Sequence, residues 1–398
     1  MALDLADLKE SNEFLNVLLD NINSAVLIID DDLRIRQFNE SLVKIFGKKG
    51  QKVAGEKCGE ALGCVFAEVE NVSCGNTTHC ERCRLRKAIL KTFRSKRSLG
   101  RQLLARKFYV DGVPVLKFLE YTTRYIRFAG QEFTLVIMDD ITEKETGKQA
   151  LIRKQKQIEL DLKSAEGIQR TLLPSAELDF ERIEAAWQFL PCARIGGDIF
   201  NILPLGGGRT ACYMMDASGH GVHSALVAVS VSHLLDPVSS RLPLASPSSV
   251  CRELDAQFPL ERFNSFFSVI YMIFDPKAGT LSWCNAGHPP AVIVRQSGEI
   301  VFLKASGPII GLGGILPHVE TTRRIGTGDR VLLYTDGLIE RRNRQGVLFG
   351  LERLLAGVEK TRNRPLPDAL SELVRITMEY GEQTAPVDDI SLLGLEIR

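Results

Sequence analysis

The 398-residue sequence lacks an excess of charge of either sign, with Lys+Arg 50 set against Asp+Glu 49 for a formal net charge of +1. A surface without a global field has no general pull on nucleic acid or anionic lipid. No apolar run approaches the ~18–20 residues that a membrane helix needs. The opening stretch MALDLADLKESNEF is acidic and does not show the basic-then-apolar order of a secretory signal. These absences predict a cytoplasmic protein that binds neither nucleic acid nor membrane. Gly-x-Ser-x-Gly and Gly-x-x-x-x-Gly-Lys are also missing, which argues against serine-hydrolase and phosphate-loop chemistry. What remains is ordinary folded-domain composition, hydrophobic 44% and charged 25%, in a chain long enough for two or three cores. Nine cysteines, an odd number in such a chain, make a complete disulfide framework an unattractive reading.

Composition shifts most clearly over residues 143–174, a Lys/Gln/Glu-rich stretch with no proline before Pro174. Leu151, Ile158, Leu162, Ala165, Ile168 and Leu172 recur at steps of seven, four, three, three and four, one stripe of a helix. Such a stripe needs a partner, either its own domain or a second copy of itself, and the second option predicts a homodimer through a coiled-coil-like linker. The division expected is therefore residues 1–142, the helical linker 143–174, and residues 175–398.

In the first segment, Ala25–Asp30 and Leu33–Phe38 flank the polar pair Asp31–Asp32, a hairpin pattern. Leu116–Ile126 and Phe133–Met138 read as later strands, the last leading into Asp140-Ile141-Thr142-Glu143. This opening and closing resembles a PAS domain, which implies an α+β sensory or dimerising module. Its interior is unusual: Cys58, Cys64, Cys74, Cys80 and Cys83 crowd together, with His79 beside them. Cys80-x-x-Cys83 can chelate one soft metal ion, and Cys64 and Cys74 would complete a four-sulfur set for zinc or an iron–sulfur cluster. A thiol redox switch favoured by Arg82, Arg84, Arg86 and Lys87, or a set of small core residues, explains the same cysteines. The basic run 84–107 reads as a helix with a solvated cationic face rather than a nucleic-acid surface.

The last segment reads as many strands around a few helices, with aspartates beside glycines at strand ends: Asp198 in Arg194-Ile-Gly-Gly-Asp198, Asp216 after ACYMM, Asp336 after RVLLYT, and Asp388-Asp389 before ISLLGLEI. If these carboxylates converge, the negative charge needs cations, and oxygen-only ligands select Mg²⁺ or Mn²⁺. Two such ions ~3.5–4 Å apart acidify a bridging water and neutralise an in-line transition state without a protein nucleophile.

These residues, with Ile168-Gln-Arg-Thr-Leu-Leu-Pro174, Asp216-Ala-Ser-Gly-His-Gly221, Asn285-Ala-Gly-His-Pro-Pro290 and Tyr334-Thr-Asp-Gly-Leu338, resemble the PPM-type (phosphatase 2C-like) serine/threonine phosphatases of the SpoIIE/RsbU branch. The resemblance implies an α-β-β-α sandwich of two antiparallel sheets. It implies that Asp216 bridges two metals, that the Ala217 carbonyl is a further ligand, that Asp336 and Asp388 complete one metal, and that Asp198 serves the other side. Asp389 is the alternative to Asp388. His220 and His288 are candidate general acids or phosphate contacts, with a structural hydrogen bond the plainer role. The implied substrate is phosphoserine or phosphothreonine on a STAS-domain anti-sigma-factor antagonist. Two rivals are weaker. A catalytically inactive scaffold would not keep all four carboxylates, and a diguanylate cyclase signature requires an acidic residue where Ile199 stands.

Overall fold

A computed structural model describes residues 17–48, 53–174, 180, 182–219, 221–304, 307–313, 316–382 and 384–398. The chain forms two compact units, residues 1–156 and 157–398.

In the first unit, alternation sets the first strand: β1 (Ala25–Ile29) turns Ala25, Leu27 and Ile29 fully inward. The Asp30 carboxylate accepts the backbone N–H groups of Asp32 and Arg34 at 3.0 and 2.8 Å, closing the turn into β2 (Ile35–Phe38). The helices α1 (Glu40–Phe46), α2 (Cys58–Leu62), α3 (Val65–Glu70) and α4 (Arg84–Ser95) follow, with a 3₁₀ turn at Cys80–Arg82. Strands β3 (Leu99–Val110), β4 (Val113–Phe128) and β5 (Gln131–Asp140) complete an antiparallel sheet of order β2-β1-β5-β4-β3. The basic run expected as a helix is one only as far as Ser95, where α4 buries Leu85, Ala88, Ile89 and Thr92. Its remainder is β3, whose burial pattern is mostly exposed, so its charges masked a strand period.

Helix α5 (Thr142–Thr171) covers most of the segment read as a linker. Its stripe is open to solvent at Leu151, Ile158 and Ile168, which are 68%, 59% and 62% exposed. No helix among the described residues is long and apolar enough to cross a membrane.

The second unit contains two five-stranded antiparallel sheets. One has the order β13-β10-β9-β8-β7, from β7 (Ile199–Gly206), β8 (Arg209–Ala217), β9 (Phe267–Asp275), β10 (Thr280–Ala286) and β13 (Thr321–Arg324). The other has the order β12-β11-β14-β15-β6, from β6 (Ile183–Leu190), β11 (Ala291–Val294), β12 (Ile300–Leu303), β14 (Arg330–Tyr334) and β15 (Ile390–Ile397). Phe200, Met214, Met272, Trp283, Leu393 and Leu395 meet between the sheets. On β8 the intervening residues Ala211, Tyr213 and Met215 face outward onto α6 (Val222–Leu235) and α7 (Pro247–Gln257). The short α8 (Leu260–Phe263) follows α7. Beyond the second sheet lie α9 (Asp336–Ile339), α10 (Gly350–Thr361) and α11 (Leu366–Tyr380), which cover Val292, Leu332 and Leu392. A sheet covered on both faces needs unbroken apolar strands, which is why ACYMM and VIYMIF show no polar alternation.

Phe200 is fully buried between the sheets and meets Phe189 edge-on at 6.3 Å. Phe200→Ala should lower unfolding free energy by ~3–5 kcal/mol, read as a fall in the urea midpoint of the second unit.

Candidate metal centre

Strand pairing assembles the acidic residues. β7 pairs with β8 so that Ile199 faces Met215, which sets Asp198 beside Asp216. β14 pairs with β15, Tyr334 opposite Leu392, which sets the start of α9 at Asp336 beside Asp388 and Asp389. The sheets meet at the same end. There the Thr335 and Ser391 hydroxyls of the second sheet donate to Oδ2 of Asp198 at 2.8 and 2.6 Å.

The two adjacent aspartates do different work. Asp389 is 3% exposed; its Oδ1 accepts Cys192 N–H at 2.8 Å and its Oδ2 accepts Gly197 N–H at 2.7 Å. It therefore clamps the loop that carries Asp198. A side chain on Gly196 would collide with the Asp389 carboxylate, and one on Gly337 with the Asp389 carbonyl, so both motif glycines are required by close approach rather than by turn geometry. Asp388 is left facing outward.

Asp216, Ala217, His288, Asp336 and Asp388 line one cleft with about 1240 Å³ of atom-free space, part of it open to solvent. Glu340 also lines it, and no lysine or arginine does among the described residues. Burial, then the charges of Asp336, Asp388 and Asp389, push the Asp216 carboxyl well above the usual carboxylate range. Asp198 is raised by burial and by Asp216 and Asp389, against the lowering effect of its two hydroxyl donors. Asp336 is raised by burial, Asp388 and Glu340. Oxygen donors in mutual repulsion, with no cationic side chain among them, fit hard divalent cations.

Gln169, near the end of α5, is 3% exposed and holds both backbone groups of Gly196: its Nε2 donates to the carbonyl at 2.8 Å and its Oε1 accepts the N–H at 3.1 Å. The linker helix thus grips the loop before Asp198. Nothing in the stripe pattern singled Gln169 out, because it is polar and lies beside the stripe.

His288 lines the cleft but is buried, and Ser268 Oγ lies 2.8 Å from its Nδ1. Burial pushes its pKa down to about 3, against a backbone contact with Tyr334, so it is neutral at physiological pH. His220 lies outside the described residues. Cys64, Cys74, Cys80 and Cys83 are in the first unit, around a cavity of their own. Another group, not apparent from spacing, is Cys251, Cys284 and His318, whose ligand atoms lie within 4.8 Å of one another.

The layering of the second unit defines a class, the PP2C-like sandwich. The SiaA-PP2C domain of Pseudomonas aeruginosa superposes with a TM-score of 0.52 at 23% identity, covering 62% of this chain and 99% of that one. Residues 206–398 match the family described as Stage II sporulation protein E (SpoIIE), and residues 13–81 match a PAS domain. The chain therefore joins a PAS domain to a SpoIIE-type PP2C phosphatase domain. Phosphoserine phosphatase RsbP of Bacillus subtilis is 27% identical over 45% of this chain and 45% of its own length. Phosphoserine phosphatase RsbU of the same organism is 22% identical over 49% of this chain and 58% of its own. The chain spans about half the length of the curated relatives it matches.

Because folding lowers the His288 pKa, the unfolded chain binds the extra proton between its ordinary value and about 3. The stabilisation is complete above ~6.5 and is lost as pH falls toward 3, by up to ~1.4 kcal/mol per pH unit. Urea midpoints at pH 7, 6 and 5 should fall more steeply for the wild type than for His288→Gln.

Proposed function

We infer that the chain is a divalent-metal-dependent protein phosphatase that hydrolyses phosphoserine or phosphothreonine on a STAS-domain anti-sigma-factor antagonist, under control of its PAS domain. The observation that carries this reading is the cleft where Asp216, Asp336 and Asp388 face one space that no lysine or arginine lines among the described residues. A phosphoester dianion is repelled from such a cleft until cations occupy it, so metal and substrate enter one site together. The names of RsbP and RsbU, both phosphoserine phosphatases, support the same substrate class.

In this reading Asp216, the Ala217 carbonyl, Asp336 and Asp388 would hold Mn²⁺ or Mg²⁺. Asp198 serves the other side with the oxygen that Thr335 and Ser391 leave free. Asp389 is the loop clamp, because its two oxygens are occupied by backbone N–H groups. Bound there, the cations supply Lewis acidity and charge neutralisation for in-line attack by water. The buried, neutral His288 positions Ser268 and the Asn285–Pro290 turn rather than delivering a proton. Regulation runs through α5: a shift of the helix carries Gln169, and with it the Gly196–Asp198 loop, into or out of register. The exposed stripe of α5 pairs with a second copy of the chain.

Phosphate release from a phosphoserine-bearing STAS protein tests the activity. Turnover should require Mn²⁺ or Mg²⁺, vanish in EDTA, and fall on the order of 100-fold or more in Asp216→Asn, since even outer-shell changes cost ~10–100-fold. Undiminished turnover in chelator or in the variant would refute the mechanism. For assembly, light scattering should give a dimer for the full chain and a monomer for Ile158→Asp; a wild-type monomer at micromolar concentration counts against pairing through the stripe.

A further inference from the structure

The cysteines of the first unit are not used by the phosphatase reading. Cys58, Cys64, Cys74, Cys80 and Cys83, distant along 26 residues of chain, all line one cavity. The elements that carry them wrap it from several sides. Cys64 caps the start of α3, Cys80 opens the 3₁₀ turn, Cys83 caps the start of α4, and Cys74 lies in the loop between. Leu62, Leu85, Ile89, Leu104 and Phe108 form the apolar remainder of the wall. All five thiols are free.

Two features point to a ligand rather than to packing. First, a well-packed core leaves few voids, yet these residues line a cavity that is partly open to solvent. The part that water-sized spheres can enter is about 30 Å³, above the ~10–15 Å³ that one water needs. Second, donors converge on the sulfurs. Gly75 N–H donates to Cys80 Sγ at 3.1 Å, Thr77 Oγ1 lies 3.0 Å from it, and Arg106 donates to Cys64 Sγ at 3.6 Å. Arg86 lines the cavity with Arg106, so two guanidinium groups face the thiols. Hydrogen bonds to sulfur and nearby positive charge stabilise thiolates bound to metal.

The spacing selects among metals. Four sulfurs sharing one zinc at ~2.3 Å stand about 3.8 Å apart. Among the described residues no three of these sulfurs lie within 4.8 Å of one another; the group that meets that criterion is Cys251, Cys284 and His318. Sulfurs that bind different irons of one cluster stand farther apart, and these four are spread around the wall of one cavity. Cys58 is taken as the spare: it opens α2, whereas Cys64 and Cys83 cap helices, Cys80 opens the short 3₁₀ turn and Cys74 lies in a loop, and burial pushes the Cys58 thiol well up.

We propose that the PAS domain binds an iron–sulfur cluster through Cys64, Cys74, Cys80 and Cys83, with Arg86 and Arg106 offsetting its negative charge. The cluster makes this domain a sensor of oxidant or of iron supply, independent of the chemistry at the aspartate cleft.

The full chain, purified and reconstituted anaerobically with iron and sulfide, tests this. It should carry about four irons and about four acid-labile sulfides per chain, with a broad visible absorption that bleaches on reduction. Cys80→Ser and Cys83→Ser should lose most of the iron while keeping the wild-type circular dichroism, and Cys58→Ala should retain it. Stoichiometric zinc without sulfide, or folded wild type that takes up no iron, would overturn the proposal. Iron loss in Cys58→Ala equal to that in Cys83→Ser would overturn the choice of ligands. The readout is iron content, so failure here leaves the phosphatase reading standing.

Discussion

Mutual repulsion among buried carboxylates is the constraint around which the second unit is organised. Asp198, Asp216 and Asp336 are each raised by burial and by one another or by Asp388 and Asp389. Left to relax, such groups would move apart or take up protons. The sandwich prevents the first by holding them from behind, and the raised pKa values express the second. Thr335 and Ser391 bridge from one sheet to Asp198 at the mouth of the other, and Asp389 ties down the Asp198 loop through backbone N–H groups. None of these contacts brings in a positive side chain, so the charge deficit in the cleft stays available to a cation. The site is held under electrostatic tension, and the covered sheets behind it, with their close-packed interior, provide the rigidity.

The same loop is held from a second direction. Gln169 satisfies the N–H and C=O of Gly196, while Asp389 takes the next N–H along. The loop's backbone polar groups are thus divided between the aspartate-bearing end of a sheet and a helix outside the sandwich. Withdrawal of the amide would leave buried backbone groups without partners, so the helix and the loop move together or not at all. The end of the polar helix is thereby tied to the loop, while Leu151, Ile158 and Ile168 of its apolar stripe are exposed.

Much of the fold was legible because its signals are local. The β1–β2 hairpin follows from alternation around Asp31–Asp32. The PAS and PP2C-like character followed from motifs in order. Strand β3 was not legible, since Arg101, Arg106 and Lys107 gave the look of a continued cationic helix. The difference between Asp388 and Asp389 was also hidden. Neighbours in sequence on an extended segment point opposite ways, and which way faces the cleft depends on the register of β15 with β14. The motif left His288 between a general acid and a structural hydrogen bond, and did not reveal the burial that pushes its pKa down.

By itself the sequence determined the inventory: acidic residues at strand ends, glycines beside them, cysteines crowded into one stretch, and a helix with a narrow apolar stripe. Those follow from residue type and spacing, which local sterics and periodicity translate directly into structure. Only the tertiary structure decided which members of the inventory meet. Convergence of Asp216 with Asp336 from two sheets, the grip of Gln169 on Gly196, and the enclosure of a cavity by scattered thiols all depend on contacts between distant segments. Such contacts are selected by packing of the whole core, which no short window of sequence contains.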